Sequence, residues 1–173
     1  MRSSRWRIPF ERIVGNVLGY IRRMDICVEP RSPSDPDSQR LLQELSATLA
    51  GITGDSGESS FRQEDALAER AIFVVARNEN GLALGCGALR PIYANIVELK
   101  RMFARPATRG VGAAVLTYLE QQAAAFDYSE IWLETRRVNV RAVTFYQRRG
   151  YSEIPNFGKY VGRAEAICLG KVL

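Results

Sequence analysis

Along the 173 residues the spacing of apolar positions changes period several times, and each change marks an element. Residues 25–29 (DICVE) alternate as a short strand, followed by the turn-rich RSPSDPDS. Leu41, Leu42, Leu45 and Leu49 recur at helical spacing and predict a helix capped by Asp37 or Ser38 and ending near Leu49. The loop GITGDSGESS and the polar stretch 61–69 come next, an interruption long enough to suggest a substrate lid. Three apolar runs then crowd together, at 71–77, 82–91 and 96–104, separated by NENG and by a turn at 93–95. Asn-Gly turns between such runs predict an antiparallel meander. After it the period lengthens: a helix from Gly110 to about Phe126, a strand at 130–135, a helix over 139–149 stopped by Gly150, and strands at 151–154 and 164–172. Strands that begin antiparallel and then alternate with helices make a mixed α/β sheet.

Charge changes this picture only at the start of the chain. Arg2, Arg5, Arg7, Arg12, Arg22 and Arg23, set against Glu11 alone, hold the whole formal charge of +5, and the remaining basic and acidic groups balance. Residues 1–24 therefore separate as a basic amphipathic extension from a domain over 25–173. The extension reads as an added arm, as upstream sequence of little function, or as a membrane-surface or targeting segment. The body has no charge excess for a polyanion, so no nucleic-acid partner is expected, and no run approaches the length of a transmembrane span. Three scattered cysteines without metal-ligand spacing suggest reduced thiols and a cytoplasmic setting, with no metal site. The absence of histidine removes Ser/His/Asp and Cys/His nucleophilic schemes, leaving acid–base work to Glu, Asp, Tyr, Lys, Cys or water.

The sharpest chemical signal is Arg109-Gly110-Val111-Gly112-Ala113-Ala114. Glycines let a backbone approach a phosphate, small residues keep the first helical turn unobstructed, and free N–H groups at a helix N-terminus attract anions. A glycine turn leading into a core helix is the competing reading. No Gly-Lys-Ser/Thr follows, so this is not a Walker loop.

Taken with Asn139, Ala142, Tyr146 and the Gly150-Tyr151 pair downstream, this turn resembles the GCN5-related N-acetyltransferase (GNAT) family. The family pattern Arg/Gln-x-x-Gly-x-Gly/Ala is met by Arg109, Gly112 and Ala114. The resemblance implies a single-domain α/β fold: a mixed, mostly antiparallel twisted sheet of six to seven strands with a splayed central strand, flanked by about four helices. It implies acetyl-CoA as cosubstrate, with 109–114 on the pyrophosphate, the backbone of Met102, Phe103 and Ala104 on the pantetheine arm, and Asn139 on the same arm or merely capping its helix. Transfer to a primary amine would be direct, in a ternary complex, and a homodimer is a common assembly in that family. An alkylammonium is only about 0.1% neutral near pH 7.4, a deficit of roughly 4 kcal/mol, so a base is wanted. Glu98 matches a position where some members carry a catalytic glutamate, although it could equally be a solvent-facing or Lys-paired strand residue. Tyr146 would give a proton or hydrogen bond to the leaving sulfur, or else belong to the core. Glu134 and Thr135 at a strand end, with Glu64 and Asp65, suggest a cationic acceptor, and Phe157 and Tyr160 are candidate walls of its pocket. A regulatory acyl-CoA-binding module without turnover, and an interaction protein working through the basic arm, are the alternatives.

Overall fold

The computed structural model describes residues 26–173. The basic extension expected over 1–24 lies outside the described residues. Seven strands and three α-helices follow one another as β1 (Cys27–Pro30), α1 (Pro36–Thr53), β2 (Ile72–Arg77), β3 (Ala83–Tyr93), β4 (Ile96–Ala104), α2 (Val111–Ala125), β5 (Glu130–Arg136), α3 (Val140–Gln147), β6 (Ser152–Ile154) and β7 (Ala166–Val172). They form one sheet in the order β1-β2-β3-β4-β5-β7-β6, in which only β4 and β5 run parallel. Among the described residues there are three α-helices where about four were expected, the difference being taken up by short 3-10 turns at Glu58–Ser60, Gln63–Ala66 and Gly158–Tyr160. No helix among the described residues is long and apolar enough to cross a membrane.

Strand alternation sends side chains to both faces, and both faces are covered. Phe73, Val75, Cys86 and Phe103 meet Leu41, Leu45 and Phe61 on the α1 side. Val74, Val97, Leu99, Ile131 and Leu133 meet Val111, Val115 and Leu119 on the α2 side, where Ala142, Val143 and Phe145 of α3 pack against the same core. The apolar runs of β2 and β3 are continuous because neither face of these strands meets water. α2 can lie close to the sheet because β3 is small where they cross: a Cβ on Gly87 would come within 2.8 Å of Leu119 and 2.9 Å of Val115.

Both ends of α1 differ from the sequence expectation: the helix begins at Pro36 behind Asp35, ahead of the caps expected at Asp37 or Ser38. α1 continues past Leu49 to Thr53, with Gly51 inside it, because the left-handed cap is Gly54 (φ 75°), whose N–H donates to the Ala50 carbonyl at 3.0 Å. The NENG turn forms as expected: Gly81 takes φ 78°, and the Asn78 side-chain oxygen accepts from the Asn80 and Leu82 N–H groups.

The feature that positions the site is an opening in the middle of the sheet. β4 and β5 pair only at Ile96↔Glu130, Val97↔Ile131 and Glu98↔Trp132. Beyond Glu98, β4 stays with β3 as far as Ala104↔Gly85, while β5 stays with β7 as far as Arg136↔Ala166. The two strands therefore diverge, and the β5-side edge of β4 is left without a strand partner. A bulge accompanies the split: between the pairs Ala88↔Lys100 and Cys86↔Phe103, Arg101 and Met102 oppose Gly87 alone. Arg101 takes φ 53°, left-handed backbone that costs a non-glycine residue about 1–2 kcal/mol.

Candidate active site

Between the diverging strands lies a cleft of about 180 Å³, walled by α1 and the loop after it, by β4 and β5, by the start of α3, and by the 3-10 turn that carries Tyr160. Its floor is apolar, from Leu45, Leu49, Leu99, Met102 and Leu133.

Tyr146 lines this cleft, 7% exposed, with its ring edge-on to Phe145 and Tyr151. Burial raises the phenol pKa well above its ordinary value, so the group stays protonated. Among the described residues nothing accepts from or donates to its hydroxyl, although every other side of the ring is packed. The ring is thus packed as a core residue, with its hydroxyl left available at the cleft wall. Asn139 also lines the cleft and also caps α3, its Oδ1 accepting from the Ala142 N–H at 3.2 Å. The cap uses the oxygen only, leaving the amide donors for a ligand.

Glu98 is placed differently from a base open to the cleft. It is fully buried and does not line the cavity. Arg90 donates to one carboxylate oxygen. The other accepts from the Tyr160 hydroxyl at 3.3 Å and has the Lys100 ammonium at 3.5 Å. Lys100 in turn donates to the Tyr160 oxygen at 2.9 Å. Lys100 and Tyr160, not Glu98, form the wall. Desolvation lowers the Lys100 pKa, partly offset by Glu98; desolvation, then the Glu98 charge, raises that of Tyr160.

Glu134 and Thr135 line the opposite wall on β5. Glu134 has no ion pair among the described residues, and desolvation raises its pKa above the usual carboxylate range, with Lys100 and Arg136 pulling the other way. Phe157 does not reach the cavity. It packs behind Tyr160 against Trp132, with ring centroids 5.4 and 5.2 Å away. Asp65 is engaged elsewhere, accepting from the Arg62 N–H at 2.8 Å and from Arg90, and Glu64 is likewise absent from the walls. The acidic cluster that suggested a cationic acceptor is therefore not assembled.

What sequence reasoning missed is basic. Alternation aims Lys100 and Arg101 to opposite faces, yet both line the cleft, because the bulge turns Arg101 round. Arg136, Lys159 and Arg163 join them. No periodicity in the sequence signals a one-residue insertion in a strand pairing, and Lys159 arrives from the 3-10 turn Gly158–Tyr160, with Arg163 from the residues that follow it.

At the far end of β4, the turn after Pro106 feeds α2 through Gly110, whose φ of 80° makes it a left-handed cap with no side chain to occupy the first-turn N–H groups. Val111, Gly112 and Ala113 precede the first intrahelical bond, in which the Ala114 N–H donates to the Gly110 carbonyl. Arg109 is exposed and makes no ion pair with any described residue. A Cβ on Gly112 would sit 3.4 Å from the Phe145 ring, so this glycine also brings α2 against α3. Val111 is buried in the core, and Phe103 buries its side chain on the α1 face, so both could serve a ligand only through their backbone. Met102 faces the cleft and Ala104 lies half-buried beyond it. An unpaired strand edge running from the cleft to a row of free amides fits an extended chain ending in phosphate: the edge offers hydrogen bonds to amide groups, the helix end a place for negative charge.

The opened sheet over such a helix is a mixed α/β fold with its cleft at the one parallel pair, and its relatives give the family. The model of the acetyltransferase (GNAT) family matches residues 38–151, and the chain belongs to that family, which uses acetyl-CoA. An IAA acetyltransferase of Azospirillum brasilense is 27% identical over 139 residues, 79% of this chain and 90% of that protein. Two solved structures share the fold. A GNAT family acetyltransferase of Staphylococcus aureus has a TM-score of 0.69 at 18% identity, covering 86% of this chain and 99% of that one. The PaiA N-acetyltransferase of Thermoplasma acidophilum, in complex with coenzyme A, has a TM-score of 0.65 at 20% identity, covering 87% and 100%.

Proposed function

We propose that this protein transfers the acetyl group of acetyl-CoA to a primary amine bound in the cleft between β4 and β5, by direct attack in a ternary complex. The observation that carries this reading is the unpaired β4 edge, which joins the cleft holding the Tyr146 hydroxyl to the α2 N-terminus. The backbone of Met102, Phe103 and Ala104 takes the pantetheine as an added strand, and the Asn139 amide donors hold the same arm. Arg109 and the amides from Gly110 to Ala113 take the pyrophosphate, with Ala114 keeping the first turn of α2 small beside it. Acetyl-CoA supplies the activated thioester carbonyl.

The amine must lose a proton before it attacks, and two carboxylates compete for it. Glu134 stands in the cleft wall, and its raised pKa makes it a stronger base than an ordinary glutamate. Glu98 is already neutralised by Arg90 and Lys100 and reaches the cleft only through Lys100 and the Tyr160 hydroxyl. Glu134 therefore accepts the proton directly, and Glu98 holds Tyr160 and Lys100 in place. The route from amine through Tyr160 to Glu98 is the longer alternative.

When the C–S bond breaks, the electron pair stays on sulfur and Tyr146 donates a hydrogen bond to it. The Tyr146 pKa is pushed away from that of a thiol, near 8.5, so the phenol keeps its proton and the thiolate is protonated by solvent. A covalent acetyl-cysteine route is disfavoured: burial pushes the Cys86 thiol up to about 12, and neither Cys27 nor Cys168 lines the cleft.

Tyr146→Phe tests the assignment. Amine-dependent thiol release should fall about 10²-fold in kcat while acetyl-CoA affinity, read by calorimetry, is kept. Unchanged turnover would remove Tyr146 from the chemistry.

A further inference from the structure

The walls of the cleft carry Lys100, Arg101, Arg136, Lys159 and Arg163 against only Asp55 and Glu134. The chain as a whole, apart from its first residues, is balanced in charge, so this excess is local. Two of the five cations are accounted for: Arg136 pairs with Asp55 at 3.1 Å and Glu165 at 2.9 Å, and Lys100 faces Glu98. The others have no carboxylate within ion-pair distance among the described residues. Lys159 and Arg163 stand exposed at the mouth.

Arg101 is the unusual one. It is 9% exposed, yet among the described residues its guanidinium donates only to the Gly57 and Ser56 carbonyls of the loop after α1. Glu58 and Asp55 act on it only at longer range, without an ion pair, so burying the guanidinium is expensive, and here the backbone is also held left-handed to put it there. A fold that needed only a packed core would place an apolar side chain at this bulge. A guanidinium on two carbonyl dipoles still has N–H donors in its planar fork, a geometry that matches a carboxylate.

We propose that the acceptor is a small amine that also bears a carboxylate, with its anionic end on Arg101 inside the mouth formed by Lys159 and Arg163, and its ammonium towards Glu134. This rests on the transferase reading above and reverses the cationic acceptor expected from sequence. The two ends are recognised by opposite walls, Arg101 on β4 and Glu134 on β5, which matches a zwitterion more closely than a diamine. A diamine would bring a second positive charge against Arg101.

The test compares matched ligands. A panel of α-, β- and aromatic amino acids, each paired with its own carboxamide, is titrated calorimetrically into the full-length protein saturated with coenzyme A, and the same pairs are assayed for thiol release from acetyl-CoA. The expected result is at least tenfold tighter binding of one or more acids than of their amides. That preference should shrink severalfold in Lys159→Ala and Arg163→Ala, both exposed positions tolerant of change, and largely vanish in Arg101→Gln. Equal binding of acid and amide across the panel, or preference for the amides, overturns the proposal even if amines are acetylated. Acid-selective binding with no thiol release from any amine upholds the anionic site and instead contradicts the transferase reading.

Discussion

Each titratable side chain in the cleft is set by what surrounds it. Glu134 is the clearest case, because desolvation acts on function and stability in opposite senses. Its folded pKa is raised above its unfolded one, so the folded state binds the proton more tightly and loses stability as pH rises through the folded pKa. Glu134→Gln should therefore raise the melting temperature at pH 7–8 and leave it nearly unchanged below the ordinary glutamate range, where the carboxyl is protonated in both states. The same substitution should lower kcat/KM and abolish the acidic limb of its pH profile, since the base is active only above its pKa. Glu98→Gln retaining that limb would agree with a positioning role; Glu134→Gln retaining it while Glu98→Gln lost it would move the proton to the longer route. Glu98 shows why sequence alone fell short here. Its place on the central strand was legible, but its burial behind Lys100 and Tyr160 depends on a residue 62 positions away.

At the scale of elements, the opening in the sheet depends on close packing at β3. Gly85 stands opposite Ala104, and a Cβ there would lie 2.5 Å from the Phe103 carbonyl oxygen and 2.7 Å from Val111. Backbone cannot yield as a flexible side chain does. Gly85→Ala should therefore cost about 1–3 kcal/mol of stability, read by urea unfolding, and weaken acetyl-CoA binding, because both neighbours belong to the turn and strand proposed to hold the coenzyme. An unchanged midpoint would mean that β4 shifts freely, and the splay would not be fixed by this contact. Most of this level was readable beforehand. The three crowded apolar runs of the meander, the NENG turn and the glycine turn at 110 announced the strands and α2, and the motif residues around them announced the family. The resemblance also implied that β4 splays at a bulge, but not that Arg101 would stand in it, since its side chain follows the pairing register and register is a tertiary property. The end of α1 was missed for a more local reason: of the glycines at 51 and 54, only the one adopting left-handed backbone stops the helix.

For the whole molecule, one parallel pair in an otherwise antiparallel sheet divides it into two halves that part at the cleft. The β1–β4 half, with α1 and α2, carries the edge and helix end suited to the coenzyme. The β5–β7 half, with α3 and the Tyr160 turn, brings Glu134, Asn139, Tyr146 and the basic mouth. The proposed transfer draws on both halves, which separates this account from a coenzyme-binding module without turnover. The most direct measurement is thiol release from acetyl-CoA by the purified protein across amines of every charge type, with acetyl-CoA binding followed in parallel. The account predicts saturable binding of acetyl-CoA and release that depends on an amine, with one acetylated amine formed per thiol by mass spectrometry. Binding of acetyl-CoA without amine-dependent release from any acceptor, or no binding at all, would contradict it.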